Sequence, residues 1–237
     1  MKFPSPLRRG RLVTRYKRFL ADVVLDGGEA VTATCPNTGS MLGLADPGSA
    51  VWLSESASPT RKYRHTWEMV EADLGRGPAL VGINTARPNA IVAEAIGRGR
   101  IKELEGFATL RREVRYGEAS RIDLLLEDPK RGLVYVEIKN VHLSRRAGLA
   151  EFPDCPTERG VKHLRELTQM VRQGHRGVML FLIQRGDARR FDLAADLDPA
   201  YEAAFRTARA AGVEALAYRC RLTPEEIRLD KAVPIAS

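Results

Sequence analysis

A small all-β barrel followed by a larger mixed α/β domain is the architecture to expect of this chain, and three observations point to it. Up to about Thr85, turn formers punctuate short apolar runs, with no amphipathic helix of useful length between them. After Thr85 the pattern becomes α-β-β-β-α-β-α-β, the mixture of a layered α/β domain. Within that order, residues 177–183 (GVMLFLI) are apolar throughout, as a strand covered on both faces must be. The expected units are residues 1–85 and 86–237.

In the first unit the breakers are Asp26-Gly27-Gly28, Pro36-Asn37-Thr38-Gly39, Asp46-Pro47-Gly48, Ser58-Pro59 and Gly75-Arg76-Gly77-Pro78. Two basic stretches with interleaved aromatics lie among them. One runs from Arg8 through Arg15-Tyr16-Lys17-Arg18-Phe19, the other from Arg61-Lys62-Tyr63-Arg64 to Trp67. Cations for phosphates and rings for base stacking are the ingredients of a single-strand-binding surface. Arg11, Arg15, Tyr16, Lys17, Arg18, Arg61, Lys62 and Arg64 are therefore candidate nucleic-acid contacts. Taken singly, Tyr16, Phe19 and Trp67 read more readily as barrel core.

The second unit should open with a helix over residues 87–96, with Pro88 in its first turn, Gly97 as its stop and Ile91, Val92 and Ala95 as its buried stripe. A loop through Phe152-Pro153-Asp154-Cys155-Pro156 leads to a second helix over residues 158–173, capped by Thr157 and closed by Gly174. Val161, Leu164, Leu167 or Thr168, and Val171 form its apolar stripe, which leaves Arg159, Lys162, His163, Arg165 and Glu166 to the other faces. A third helix over residues 199–211 lies between Asp198 and Gly212, followed by a strand over 213–218. Thr223-Pro224-Glu225-Glu226 has the spacing of a capping box for a last helical turn.

Chemistry concentrates between Arg111 and Val141. Three strand-like runs there are separated by Gly117 and Asp128-Pro129. In the third, Val134, Val136 and Ile138 should face one way, and Tyr135, Glu137 and Lys139 the other. A carboxylate and an ammonium thus leave one face of a largely apolar strand, and burying either without a partner costs several kcal/mol, roughly. With Asp123 on the strand before, Glu137 and Lys139 compose a metal-dependent phosphodiesterase site. Two carboxylates hold Mg²⁺ or Mn²⁺, the Ile138 carbonyl adds a third oxygen, and Glu113 adds a further carboxylate directly or through water. The Lys orients the attacking water and offsets charge on the phosphate. Arg159, Lys162 and His163 would hold substrate phosphates, and Gln184 either reaches the site or ends its strand. On spacing alone, Glu-x-Lys on a strand reads first as a surface ion pair worth about 0–1 kcal/mol.

The net charge of +8 favours a polyanionic partner, DNA single- or double-stranded, with RNA allowed by the aromatics. The three cysteines lack Cys-x-x-Cys spacing and suit a reducing cytoplasm, and no apolar run reaches membrane-spanning length.

The order of elements and the Asp…Glu-x-Lys placement resemble the restriction-endonuclease-like, PD-(D/E)xK nuclease fold. The chain also resembles the sugar fermentation stimulation protein A family of bacteria and archaea. The matching stretches are RLVTRYKRFLADV (11–23), CPNTGSM (35–41), RKYRHTWE (61–68), EVRYGEASRIDLLL (113–126), YVEIKNVHL (135–143), FPDCPTERGVKHLREL (152–167) and FLIQR (181–185). The resemblance implies an OB-like barrel joined to a PD-(D/E)xK domain, DNA binding without marked sequence preference, and a regulatory link to sugar (maltose) metabolism. It makes Asp123, Glu137 and Lys139 the nuclease-type triad, with Glu113 accessory. Many nucleases of this fold dimerise, so a homodimer is a further expectation. Two departures stand out: Ile122 replaces the Pro before Asp123, and Cys155-Pro156 replaces the small residues usual after Phe-Pro-Asp, which is expected to alter the loop over the site. A non-catalytic DNA-binding regulator on the same scaffold is the alternative reading, because fold does not establish activity.

If the basic stretches contact phosphates, log K for duplex DNA should fall with log salt at about −0.9 per phosphate contacted. A salt titration of binding checks this, and a flat dependence would remove the electrostatic reading.

Overall fold

Residues 1–117 and 120–236 are described by a computed structural model of the chain. The first unit is built from β1 (Arg8–Tyr16), β2 (Leu20–Leu25), β3 (Ala30–Thr34), β4 (Ala50–Glu55), β5 (His65–Asp73) and β6 (Pro78–Gly82). They hydrogen-bond in the order β3-β2-β1-β4-β5-β6, and a short parallel pairing of β3 with β5 closes the first five into a barrel. Closure removes the exposed sheet edges that an open meander would present. The barrel interior is filled by Leu12, Val23, Leu53, Trp67 and Val70, all buried. Trp67 is thus core, as expected of a single aromatic, whereas Phe19 is 50% exposed and does not enter the barrel.

The second unit is a six-stranded sheet in the order β15-β14-β12-β9-β8-β7. Its strands are β7 (Thr109–Tyr116), β8 (Ser120–Asp128), β9 (Gly132–Val141), β12 (Arg176–Ile183), β14 (Glu214–Leu222) and β15 (Ile227–Ala232). The central trio β9, β12 and β14 is parallel, and the edges are antiparallel. Seven of the eight residues of β12 are buried, which explains its unbroken apolar sequence. One face of the sheet packs on α1 (Pro88–Gly97), the other on α2 (Glu158–Arg172) and α3 (Pro199–Ala210). Among the described residues no helix is long and apolar enough to cross a membrane.

The two units share a core. Ala50, Trp52 and Met69, on the outside of the barrel, pack into the same cluster as Ile91 and Val92 of α1 and Val134, Val136 and Ile138 of β9. β6 abuts the end of β12, where the Gly82 N–H donates to the Gln184 carbonyl (2.8 Å). Only glycine fits there, because a Cβ on Gly82 would lie 2.5 Å from the Gln184 side chain. At the seam the fully buried carboxylate of Glu68 accepts from Ser54, from Asn84 and from two nitrogens of Arg87.

Several expectations need correction. Gly97 stays within α1, and the left-handed residue beyond its end is Gly99 (φ +63°). Thr223 does accept backbone N–H groups from Glu225 and Glu226, but the segment is the turn of the β14–β15 hairpin. Ile227 and Leu229 are buried alternately, a period of two that a helix cannot satisfy. A small sheet of β10 (Leu143–Arg146), β11 (Leu149–Phe152) and β13 (Arg190–Leu193) was not legible in the sequence, its strands being only four residues long. His163 and Glu166 lie on the buried side of α2, at 5% and 7% exposure, and extend its apolar stripe with polar groups.

Removing the guanidinium from Glu68 would strand a buried charge, a change that typically costs 3–5 kcal/mol, roughly. Arg87→Ala should therefore lower the unfolding free energy by about 3 kcal/mol in a urea titration. A loss under about 1 kcal/mol would show the pair to be dispensable.

Candidate functional site

The site forms where a ladder stops. The β8–β9 pairing runs from Asp128↔Gly132 to Leu124↔Val136, and the next step would set Asp123 opposite Glu137. There the Ile138 N–H donates to Asp123 Oδ2 (2.8 Å) instead of to a strand carbonyl, and Asn89, in the first turn of α1, donates to Oδ1 (2.9 Å). The strands part around the carboxylate, which thereby faces a cleft rather than the core. On the other side of β8, Glu113 sits between the pairs Arg112↔Leu124 and Val114↔Ile122 with a left-handed φ of +53°.

Alternation along β9 is as expected. Val134, Val136 and Ile138 join the core under α1, while Glu137 and Lys139 meet α2. Lys139 Nζ lies 2.9 Å from Glu137 Oε1, and His163 Nδ1 contacts the same oxygen. Arg159 Nε, which can only donate, reaches His163 Nε2 at 3.3 Å. We therefore assign the ring proton to Nδ1, facing Glu137. Burial works against charge on Glu137, but the hydrogen bond from His163 and the nearby Lys139 ammonium hold its pKa below the usual carboxylate range. Asp123 goes the other way, raised first by burial and then by the charge of Glu137, against the donors Ile138 and Asn89.

The cleft has a volume of about 280 Å³. Thr85, Pro88 and Asn89 form one wall, Asp123 and residues 137–140 the floor, and Thr157, Arg159, Gly160 and His163 at the start of α2 the other wall. Two larger cavities, each of about 660 Å³, open elsewhere, and neither is lined by these carboxylates. Glu137 Oε2 is buried and has no hydrogen-bond partner among the described residues. Behind it lie further buried polar atoms in the same condition: the hydroxyls of Tyr116 and Tyr201 and both carboxylate oxygens of Glu166. Burial, then the charge of Glu137, raises the pKa of both tyrosines.

An oxygen-coordinated divalent cation fits this donor set. Two adjacent carboxylates repel each other, one oxygen lacks a donor, and a hard cation answers both conditions. Asp123, Glu137 and the Ile138 backbone are the groups that could hold it. Glu113 is exposed and is not part of the cleft lining.

The expected phosphate contacts are placed unevenly. Arg159 lines the cleft, His163 is buried against Glu137, and Lys162 lies outside the cleft near Glu166 (3.8 Å). In the barrel, Arg15 Nη2 donates to the carbonyls of Arg18, Asn37 and Gly39, bracing two loops. Arg11 donates to Gly48, Tyr16 to Asp22, Arg61 to the hydroxyls of Thr34 and Thr66, and Arg64 pairs with Glu55. Lys62 lies over the Tyr63 ring. Lys17 and Arg18 have no acidic partner among the described residues.

Sequence reasoning missed Thr85, Asn89 and Asn140. Gln184, left open, reaches the site indirectly by donating to Asn140 Oδ1 (2.7 Å). A polar seam also went unnoticed, in which His142 Nε2 meets Asp154 (3.3 Å) and the hydroxyl of Ser40 donates to the Asp154 carbonyl (2.9 Å), joining the barrel to the loop before α2. Cys155 lies in that loop, its thiol 3.5 Å from Asp154 Oδ1. No periodic signal marks these residues, whose roles depend on contacts between distant segments.

Residues 13–83 match the family model described as the SfsA N-terminal OB domain, and residues 86–226 the one described as the sugar fermentation stimulation protein RE domain. Sugar fermentation stimulation protein homologs from Rhodospirillum centenum and Methylobacterium nodulans are 58% and 57% identical over 237 residues, covering the whole of each chain. The solved structure of Pyrococcus furiosus SfsA in complex with Ca²⁺ superposes with a TM-score of 0.89 at 28% identity, over 100% of this chain and 98% of that one.

Asp123 strains the metal-free protein, since burial and Glu137 both disfavour its charge. Asp123→Asn should raise the melting temperature in EDTA by about 2–4 °C, equivalent to about 1 kcal/mol. A lower melting temperature would mean that the hydrogen bonds from Ile138 and Asn89 outweigh the repulsion.

Proposed function

The chain belongs to the sugar fermentation stimulation protein family, and from that premise we propose that it binds DNA without marked sequence preference and hydrolyses its phosphodiester bonds with a divalent cation, Mg²⁺ or Mn²⁺. The observation that carries this is the juxtaposition of Asp123 and Glu137, with Lys139 on the same face, at the end of a strand ladder and open to a cleft. The restriction-endonuclease-like fold and the Ca²⁺ of the archaeal relative favour an oxygen-ligand cation at such a place. The division near Thr85 gives the barrel the task of binding and the α/β unit that of cleavage.

A cation bound by Asp123 and Glu137 would supply Lewis-acid polarisation of the phosphate and a water of lowered pKa. His163 keeps Glu137 ionised and fixes its rotamer by occupying Oε1, which leaves Oε2 for coordination. Lys139 offsets charge that builds on the phosphate during attack. Arg159 and the N-terminus of α2 hold the phosphate oxygens, where both the guanidinium and the unpaired helix N–H groups favour an anion. Glu113, whose side chain is exposed, could join only after a local rearrangement of β7.

Cleavage of labelled single-strand, duplex and branched DNA in Mg²⁺, Mn²⁺ or EDTA tests this, with the Glu137→Ala/Lys139→Ala double variant as the comparison. Metal-dependent cleavage should be lost in the variant, and Asp123→Ala should lose stabilisation by Mg²⁺ while keeping its DNA affinity in EDTA. Tight binding without cleavage in any metal would instead make the protein a DNA-binding regulator on a nuclease scaffold.

A further inference from the structure

The turn joining β1 to β2 is tight, with only Lys17, Arg18 and Phe19 between the paired residues Tyr16 and Leu20. Lys17 and Arg18 both take left-handed backbone (φ +49° and +64°), an arrangement that costs of order 1 kcal/mol per residue or more for side chains other than glycine. Beside them Phe19 stands 50% exposed, so half of its surface remains open to a ligand. Two hydrogen bonds tie this turn to its neighbours. Arg15 Nη2 donates to the Arg18 carbonyl (2.9 Å), and the Cys35 N–H donates to the Phe19 carbonyl (2.7 Å). From there the path to the candidate site is short. Pro36, next in the chain, accepts from the hydroxyl of Thr85, and Thr85 lines the cleft that holds Asp123 and Glu137. Arg18 lies within electrostatic reach of Cys155 in the loop leading to α2, whose first residues form the opposite wall.

We propose that Phe19 is a base-stacking wedge. A nucleobase freed from its own stack packs on the ring, while Lys17 and Arg18 hold the flanking phosphates. The preferred DNA is then a junction between single and double strand, with an unstacked base at a set distance from the bond in the cleft, rather than a continuous duplex. This rests on the DNA-binding reading above and specifies its substrate. The chemistry of the tip suits it, because every base has a π-face and the two cations have no acidic partner among the described residues.

The test is binding in EDTA, where cleavage plays no part, by fluorescence anisotropy of a forked oligonucleotide and a blunt duplex of the same length. The whole chain should bind the fork about tenfold or more tighter. Phe19→Ala should weaken fork binding roughly 5- to 100-fold, the range expected for one lost stacking contact, and leave the blunt duplex within about twofold. Phe19→Trp should restore the fork preference. The Lys17→Ala/Arg18→Ala double variant should weaken both DNAs and flatten the salt dependence by about two phosphates. Equal fork affinity for Phe19→Ala and the unaltered protein would overturn the wedge while leaving DNA binding intact. An unaltered protein that binds neither DNA would overturn the DNA-binding reading and the wedge with it.

Discussion

The site depends on keeping Glu137 charged although it is only 2% exposed. A buried carboxylate left alone would take up a proton. Here α2 docks so that His163 and Lys139 meet one oxygen, and the helix is fixed in turn by its Thr157 cap and by apolar contacts of Leu164 and Leu167. Helix docking and carboxylate ionisation therefore support each other. Asp123, one strand away, lacks such a neighbour and carries the strain of the pair. Sites that bind a cation characteristically accept this kind of instability in its absence.

Much of this arrangement was legible in residue order. The alternation of Val134, Val136 and Ile138 against Glu137 and Lys139 correctly assigned the faces of β9, and the apolar run before Gln184 correctly identified a central strand. Local signals placed all three helices to within a residue or two: Thr157 and Asp198 cap α2 and α3, whereas α1 has Pro88 in its first turn and no side-chain cap. Short strands such as β10, β11 and β13 escaped, since four residues cannot display a period and their pairing is decided by partners far along the chain.

Polar residues on buried faces were the systematic blind spot. His163 and Glu166 were assigned to the faces outside the apolar stripe because helix patterning treats polarity as exposure. His163 is buried against Glu137, and Glu166 packs beside Gly117. Arg15 misleads in the opposite sense, with a guanidinium in a basic cluster that bridges three carbonyls and so serves architecture. Composition alone cannot separate a cation that meets phosphate from one that meets the backbone.

The core common to Trp52, Met69, α1 and β9 has a geometric consequence. Two units joined by a flexible tether would close around a substrate of any shape. Two units welded through apolar packing hold the Phe19 tip and the Asp123–Glu137 pair at one separation, as a calliper holds its jaws. A ligand that touched both would have to fit that one spacing between barrel and sheet.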